Sequence, residues 1–263
     1  MYELSPSQQH RIEPLLSRET PGYLFARALL ERNHQGRVLA DDVVEPATIL
    51  VALACGFNYL AGRADDLGTL QAMKSWITRH LASDDGYLLL FPTSLAWEEQ
   101  LPVLFSDAAE LIQAGRIEYS FDEVAYARRH LGWRKALPEG YVVRRYDRVL
   151  AEGQALAEFW GSIDAFLRHG FGFAVTQGDE VVSRCHTVLV GAKMAEISIS
   201  TAEPYRRRGF ATRAACAFID HCLAIGVTPA WSCWDNNTAS QYLAEHLGFV
   251  QENVTRAYVV RLV

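Results

Sequence analysis

The chain has no apolar run approaching the roughly 20 residues that a membrane-spanning helix needs, and its opening MYELSPSQQHRIEP has no signal-peptide core. A cytoplasmic protein without a membrane partner is therefore expected. Cysteine is sparse: Cys55, Cys185, Cys216, Cys222 and Cys233 are odd in number, scattered and free of any Cys-x-x-Cys pair. That favours reduced thiols over disulfides or a zinc site. A basic excess is also lacking. At a formal net charge of −6 the chain has no footprint for a nucleic-acid partner, because sequence-independent affinity for phosphate backbones rests on clustered Lys and Arg. No spacing suggests a metal, and His186 and His221 stand alone, as structural histidines commonly do.

What is present is globular. Half the residues are hydrophobic and 21% are charged, which gives ample core and no disorder signature. A length of 263 residues is comfortable for two small domains, since domains commonly run to roughly 100–150 residues. A break near residues 132–140, where Trp133 to Gly140 reads WRKALPEG, divides an N-terminal α/β lobe, 1–132, from a second domain, 133–263.

In the first half, residues 5–33 carry helical spacing interrupted by Thr20-Pro21-Gly22, which predicts two short helices. Strands are predicted over 36–40 and 48–60, a helix over 67–81, a strand over 87–91, a helix over 95–104 and a strand over 116–121. The second half opens with a strand over 141–146 and a helix over 158–169. A hairpin follows, 171–176 and 181–190, turning at Gln177-Gly178-Asp179. The order of elements in the first half echoes that of the second, which leaves open a degenerate, coenzyme-free copy of one fold beside an unrelated α/β cap.

The strand over 195–201 alternates cleanly. Glu196, Ser198 and Ser200 fall on one face, Ile197, Ile199 and Thr201 on the other. It leads into PYRRRGFAT, Pro204 to Thr212, and then into an amphipathic helix that begins at Gly209 and runs to about Ala224. A strand, an arginine-rich glycine turn and a helix in that order describe an anion site. The first N–H groups of a helix lack intrahelical partners, the helix dipole adds positive potential, and a glycine lets a phosphate approach the backbone. Arg206, Arg207 and Arg208 add charge that a phosphate can pair with.

Arg206-x-x-Gly209-x-Ala211 resembles the (Gln/Arg)-x-x-Gly-x-(Gly/Ala) signature of the GNAT superfamily of acetyl-CoA-dependent N-acetyltransferases. The block that follows, a strand near 229–234, then Asn237, Ser240, Leu243 and Gly248-Phe249, is similar to the Asn-x-x-(Ala/Ser)-x-x-Leu run that closes the coenzyme site there. In detail, the stretch from Glu196 to Ala211 and the later Ser240-x-x-Leu243 to Phe249 resemble a two-lobed branch that includes zwittermicin A resistance acetyltransferases. The resemblance covers roughly 141–250 well and the first half weakly. It implies an α/β (α+β) fold with a GNAT-type mixed central sheet flanked by helices. It also implies acetyl-CoA as co-substrate and no metal, with a small-molecule primary amine, such as an aminated antibiotic, as acceptor. A homodimer stays open as an expectation.

Site residues follow from the same resemblance. The pyrophosphate falls to Arg206, Arg207, Arg208, Gly209, Phe210, Ala211 and Thr212. The main chain of Ile199, Ser200 and Thr201 faces the thioester, and Asn237 and Ser240 contact the pantetheine or phosphate arm. Asn237 also reads as a helix N-cap and Ser240 as a helix-surface serine. A lysine-like ammonium, with a pKa of about 10.4, needs a base, and Glu196 matches the position of the superfamily's catalytic glutamate; a solvated strand carboxylate is the plain alternative. The superfamily's acid, a tyrosine four residues before Gly248, is here Ala244. Tyr242 cannot replace it, since residues two apart on a helix face apart, which leaves Tyr205, Cys233 or solvent. The missing acid keeps a second class open, an acyl-CoA sensor or scaffold. A thiol-dependent hydrolase using Cys185 or Cys233 lacks an activating histidine beside either. Trp231 and Trp234 read as core residues.

Overall fold

A computed structural model describes residues 1–80, 87–106, 109–130 and 137–262. The expected helix end at Leu81 and residues 132–136 of the expected linker lie outside the described residues. In chain order the elements are β1 (Tyr2–Glu3), a 3-10 helix (Gln9–Leu15), α1 (Tyr23–Leu30), β2 (Gly36–Ala40), β3 (Thr48–Leu53), β4 (Phe57–Gly62), α2 (Leu67–His80), β5 (Tyr87–Pro92), α3 (Leu95–Leu104), β6 (Ala109–Phe121) and α4 (Glu123–His130). They continue with β7 (Tyr141–Arg145), α5 (Arg148–Glu152), α6 (Ala157–Trp160), α7 (Ile163–His169), β8 (Gly172–Gln177), β9 (Glu180–Gly191), β10 (Met194–Thr201), a 3-10 turn (Glu203–Tyr205), α8 (Phe210–Ala224), β11 (Thr228–Trp234), α9 (Thr238–His246) and β12 (Phe249–Leu262). No helix among the described residues is long and apolar enough to cross a membrane.

The chain divides into two compact units, Met1–Arg116 with Thr255–Val263, and Ile117–Val254. The division therefore differs from the expected one at 132/133. It falls within β6, and the end of β12 belongs to the first unit because Tyr258 to Arg261 pair antiparallel with Leu90 to Tyr87 of β5. Tyr258 and Val260 are buried in the same core as Leu50, Leu90, Trp97 and Phe105. Pairing between segments so far apart in sequence leaves no local signal.

In the first unit the strand order is β1-β2-β3-β4-β5-β12. The expected strand over 48–60 is two strands, because the chain turns at Ala54 to Gly56 and β4 runs back antiparallel to β3. β3 is buried along its whole length, as its sequence TILVAL suits. α2 then connects β4 to the parallel strand β5 and buries Leu70, Met73 and Ile77, residues at the three- and four-residue steps of one helix face.

In the second unit the order is β6-β11-β10-β9-β8-β7. β8, β9 and β10 form an antiparallel meander, and α8 crosses over to the parallel strand β11. The first unit repeats this order and these pairing directions in β2, β3, β4, α2 and β5. Both units are thus mixed sheets with helices packed on them. In the second unit, Phe210, Phe218, Ile219 and Cys222 of α8 share one buried cluster with Ala195 and Ile197 of β10, Trp231 of β11 and Tyr126 of α4. Leu150, Leu156, Trp160 and Phe166 of α5 to α7 form another with Tyr146 and Ala174.

Three local readings change. The helix expected over 158–169 is two helices, interrupted at Gly161, with the Ser162 hydroxyl accepting the Ala165 N–H at 3.1 Å to start α7. α4 and α5 were not foreseen, being short and mostly polar on their exposed sides. Each is started by an aspartate: Asp122 accepts the Ala125 N–H at 2.9 Å and Asp147 the Leu150 N–H at 2.9 Å.

Candidate active site

The parallel pairing of β10 with β11 consists of Met194 with Thr228, Ala195 with Pro229 and Glu196 with Ala230, and then stops. Beyond Glu196 the two strands part, while β10 stays paired to β9 through Thr201. The edge of β10 from Ile197 to Thr201 that faces β11 therefore carries main-chain groups with no ladder partner there. The parted stretch begins at Ile197 and includes Ile199 to Thr201, and Glu196 sits on the last closed rung.

Glu196 is only 5% exposed, which removes the reading of a solvated strand carboxylate. The Ser232 hydroxyl donates to its Oε1. Ser232 was missed in the sequence. Its signal is the parallel register, since a residue two beyond Ala230 lies on the same face as Ala230. Ile197 and Ile199 pack into the cluster beneath α8, so the alternation of β10 holds and leaves Glu196, Ser198 and Ser200 on the other face.

At the far end of β10, the Arg206 N–H donates to Glu203 O at 3.2 Å, and the Arg213 N–H donates to Gly209 O at 3.2 Å. Between them the N–H groups of Arg207 to Thr212 donate to no described residue. Arg207 (φ 60) and Gly209 (φ 79) are both left-handed, a backbone alternation that turns successive amides inward into an anion-binding nest, and Gly209 caps the N-terminus of the 15-residue α8. A Cβ added at Gly209 would meet no atom within 4 Å. The positive φ and the amide cradle account for the glycine, with no packing demand.

The arginine triplet separates into three roles. Arg206 Nε donates to Thr201 O at 3.2 Å, tying the turn to the end of β10. Arg208 lies over the rings of Phe210, Tyr141 and Tyr205, at 5.0, 5.3 and 5.7 Å from their centroids, so aromatic faces hold its guanidinium. Arg207 is exposed.

Asn237 and Ser240 are engaged within the protein. Asn237 Oδ1 accepts the Ser240 N–H at 3.1 Å as the cap of α9, and Ser240 Oγ accepts the Trp231 indole N–H at 3.0 Å. Trp231 is buried and Trp234 partly so. Ala244 is fully buried, and Tyr242 is 71% exposed and stacks on His246. Tyr205 donates to Glu180 Oε2 at 2.9 Å, a bond that raises its pKa.

Burial pushes the Cys216 and Cys222 thiols up to about 12 and Cys185 well above its ordinary value. Cys233 is buried as well. A thiolate nucleophile at Cys185 has no support from such surroundings. His186 is 4% exposed, and desolvation, with Arg184 nearby, lowers its pKa to about 4. His221 packs against Phe171 and Phe173, and burial lowers its pKa also. Among the described residues no group of His, Cys, Asp and Glu is placed to hold a metal ion.

The model of the family described as GNAT acetyltransferase matches residues 15–258. The chain belongs to that family. It is 30% identical over 231 residues to an uncharacterized N-acetyltransferase, YdfB, of Bacillus subtilis (strain 168), covering 86% of this chain and 85% of that protein. Among solved structures, a GCN5-related N-acetyltransferase-like protein from Streptococcus suis 89/1591 aligns with a TM-score of 0.71 at 23% identity, over 97% of this chain and 99% of the other. A tandem GNAT protein from the clavulanic acid biosynthesis pathway aligns with a TM-score of 0.62 at 10% identity, over 98% and 96%. These two likenesses establish the fold.

GNAT acetyltransferases use acetyl-CoA as co-substrate. The open amides of Arg207 to Thr212 suit its pyrophosphate, and the parted edge of β10 suits an amide-bearing arm. Among its described residues the first unit shows neither. There β4 and β5 stay paired from Phe57 with Leu89 to Leu60 with Pro92, and the Thr93 N–H continues to Leu60 O at 3.0 Å. Asn58 Nδ2 donates to Leu89 O at 2.9 Å. The turn before α2 holds Asp65, paired to Arg63, and Asp66, whose Oδ1 accepts the Thr69 N–H. Acidic side chains at that turn oppose an anion.

Proposed function

We propose that this acetyltransferase moves an acetyl group from acetyl-CoA to a primary amine of a small molecule, by direct transfer with both substrates bound. The observation that carries the reading is the parting of β10 and β11 immediately after Glu196, with the open amide turn at the other end of the same strand. The second unit holds the coenzyme and the first does not.

In this reading the N–H groups of Arg207 to Thr212 hold the pyrophosphate, with Arg207 free to add charge and Arg206 and Arg208 fixing the turn's shape. Acetyl-CoA supplies an activated acetyl thioester. Main-chain N–H groups along Ile199 to Thr201 face the opening as hydrogen-bond donors. Glu196, oriented by Ser232, accepts the proton that the acceptor ammonium must lose, directly or through water. Asn237 and Ser240 act by setting the start of α9, and their remaining lone pairs are the groups offered to the coenzyme arm.

No tyrosine of α9 is placed to protonate the departing thiolate. A thiol with a pKa near 8.5 leaves as the anion at neutral pH at a cost of about 2 kcal/mol, so solvent suffices. An aminated antibiotic, by the likeness to the zwittermicin A resistance branch, is one acceptor within this reading. The buried Ala244 favours a second reading, an acyl-CoA sensor. Steady-state release of free thiol from acetyl-CoA with a panel of primary amines separates the two. Amine-dependent release supports transfer, and tight coenzyme binding without release across the panel supports the sensor.

A further inference from the structure

The second unit carries a cavity of about 270 Å³ on the β9 side of β10, lined by Gln154, Ser183, Arg184, Ser200, Thr201 and Ala202 among others. Its cation is Arg184. Arg184 Nε donates to Ser200 Oγ at 2.7 Å and Nη1 donates to Gln154 Oε1. Both acceptors are neutral, and no carboxylate pairs with Arg184 among the described residues. A partly buried guanidinium fixed by two neutral acceptors keeps its charge and part of its planar donor fork for another anion.

We propose that this cavity is the acceptor's anion subsite and that Arg184 receives a carboxylate, so that the acceptor is an amine carrying an acid at its far end. The inference rests on the acetyl-transfer reading. Ser200, bonded to Arg184, shares a face of β10 with Glu196 four residues earlier, a Cα separation of roughly 13 Å at strand rise. An α-amino acid, whose ammonium and carboxylate share one carbon, is too short to reach both ends. An ω-amino acid is long enough, and it keeps its carboxylate away from that of Glu196.

The test compares thiol release from acetyl-CoA with matched pairs, ε-aminocaproate against pentylamine and γ-aminobutyrate against propylamine, with glycine as the short control. The same rates are measured in Arg184→Gln and Arg184→Lys, with acetyl-CoA affinity measured separately and ε-aminocaproate binding followed by calorimetry without coenzyme. The wild-type protein should prefer ε-aminocaproate to pentylamine by roughly ten- to a hundredfold in kcat/KM, the range for a hydrogen bond to a charged group. Arg184→Gln should erase the preference through a higher KM, and Arg184→Lys should restore part of it. No preference in the wild type overturns the subsite. So does a loss of acetyl-CoA affinity parallel to the acceptor effect, which would assign the anion to the coenzyme. If no amine is turned over, the acetyl-transfer reading fails by itself and calorimetry decides the subsite. Binding of ε-aminocaproate that disappears in Arg184→Gln upholds it, and no binding to the wild type overturns it.

Discussion

The Ser232 hydroxyl donates to the Glu196 carboxylate, one parallel strand to the other, where their shared ladder ends. The bond orients a nearly buried carboxylate at the mouth of the parted strands, which is the placement a base needs to reach an amine there. Glu196→Gln keeps the shape and the acceptor oxygen for Ser232 but removes the basicity. Turnover should fall roughly a hundred- to ten-thousandfold near pH 7. It should recover in part as pH rises and the amine loses its proton in solution. A pH–rate profile of the variant that overlays the wild type would reduce Glu196 to a structural residue.

Gly209 and Gly226 make a matched pair. Both are left-handed, at φ 79 and 69, and a Cβ at either meets nothing within 4 Å. Gly209→Ala and Gly226→Ala should each lose about 1–2 kcal/mol of stability from the backbone alone. Gly209→Asp should also weaken acetyl-CoA binding at least tenfold, because it sets a negative charge among the amides of Arg207 to Thr212. Gly226→Asp, beyond the C-terminal end of α8, should not. Equal affinities in folded variants would remove the pyrophosphate from this turn.

Much of this site was legible because its signals are local. The alternation from Glu196 to Thr201, the turn PYRRRGFAT and the cap at Asn237 each depend on a few consecutive residues. The partners of those residues were not legible. Arg208 is held by Tyr141, far upstream, Glu196 is oriented by Ser232 across a strand boundary, and Arg184 meets Ser200 only through the antiparallel register of β9 and β10. Residues 48–60 read as one apolar run because both β3 and β4 are buried, so composition gave no mark at the turn beyond Gly56. The compact units divide elsewhere than at 132/133 because the end of β12 pairs with β5, a pairing between distant segments that leaves no local mark.

His186 gives the protein an acid sensitivity. Burial lowers its pKa to about 4 from roughly 6.5 in the unfolded chain. Below the unfolded value the unfolded state binds the extra proton, so stability rises with pH from about 4 to 6.5 and is lost as pH falls through that window. The loss should reach up to roughly 3 kcal/mol at the lower end. Urea unfolding of the wild type and of His186→Gln at a series of pH values measures it. The variant should show a flatter dependence over this window, and an unchanged slope would assign the sensitivity to other groups.

The last prediction concerns where the second unit begins. A fragment of residues 134–263 starts after the expected linker, yet it lacks Ile117 and Tyr119 of β6 and Tyr126 of α4, all buried in the cluster beneath α8. Tyr126 also donates to Asp220 of α8 at 2.8 Å, and a Cβ at Gly248 would come within 2.7 Å of the Tyr126 backbone nitrogen. Losing a large buried side chain costs about 2–5 kcal/mol, so three together exceed much of the 5–15 kcal/mol that a domain commonly has. The fragment should be insoluble or lack a cooperative thermal transition. The full chain with Tyr126→Ala should fold but melt several degrees lower. A fragment of 134–263 that unfolds cooperatively and binds acetyl-CoA as the full chain does would show that β6 and α4 are dispensable to the unit they help to fill.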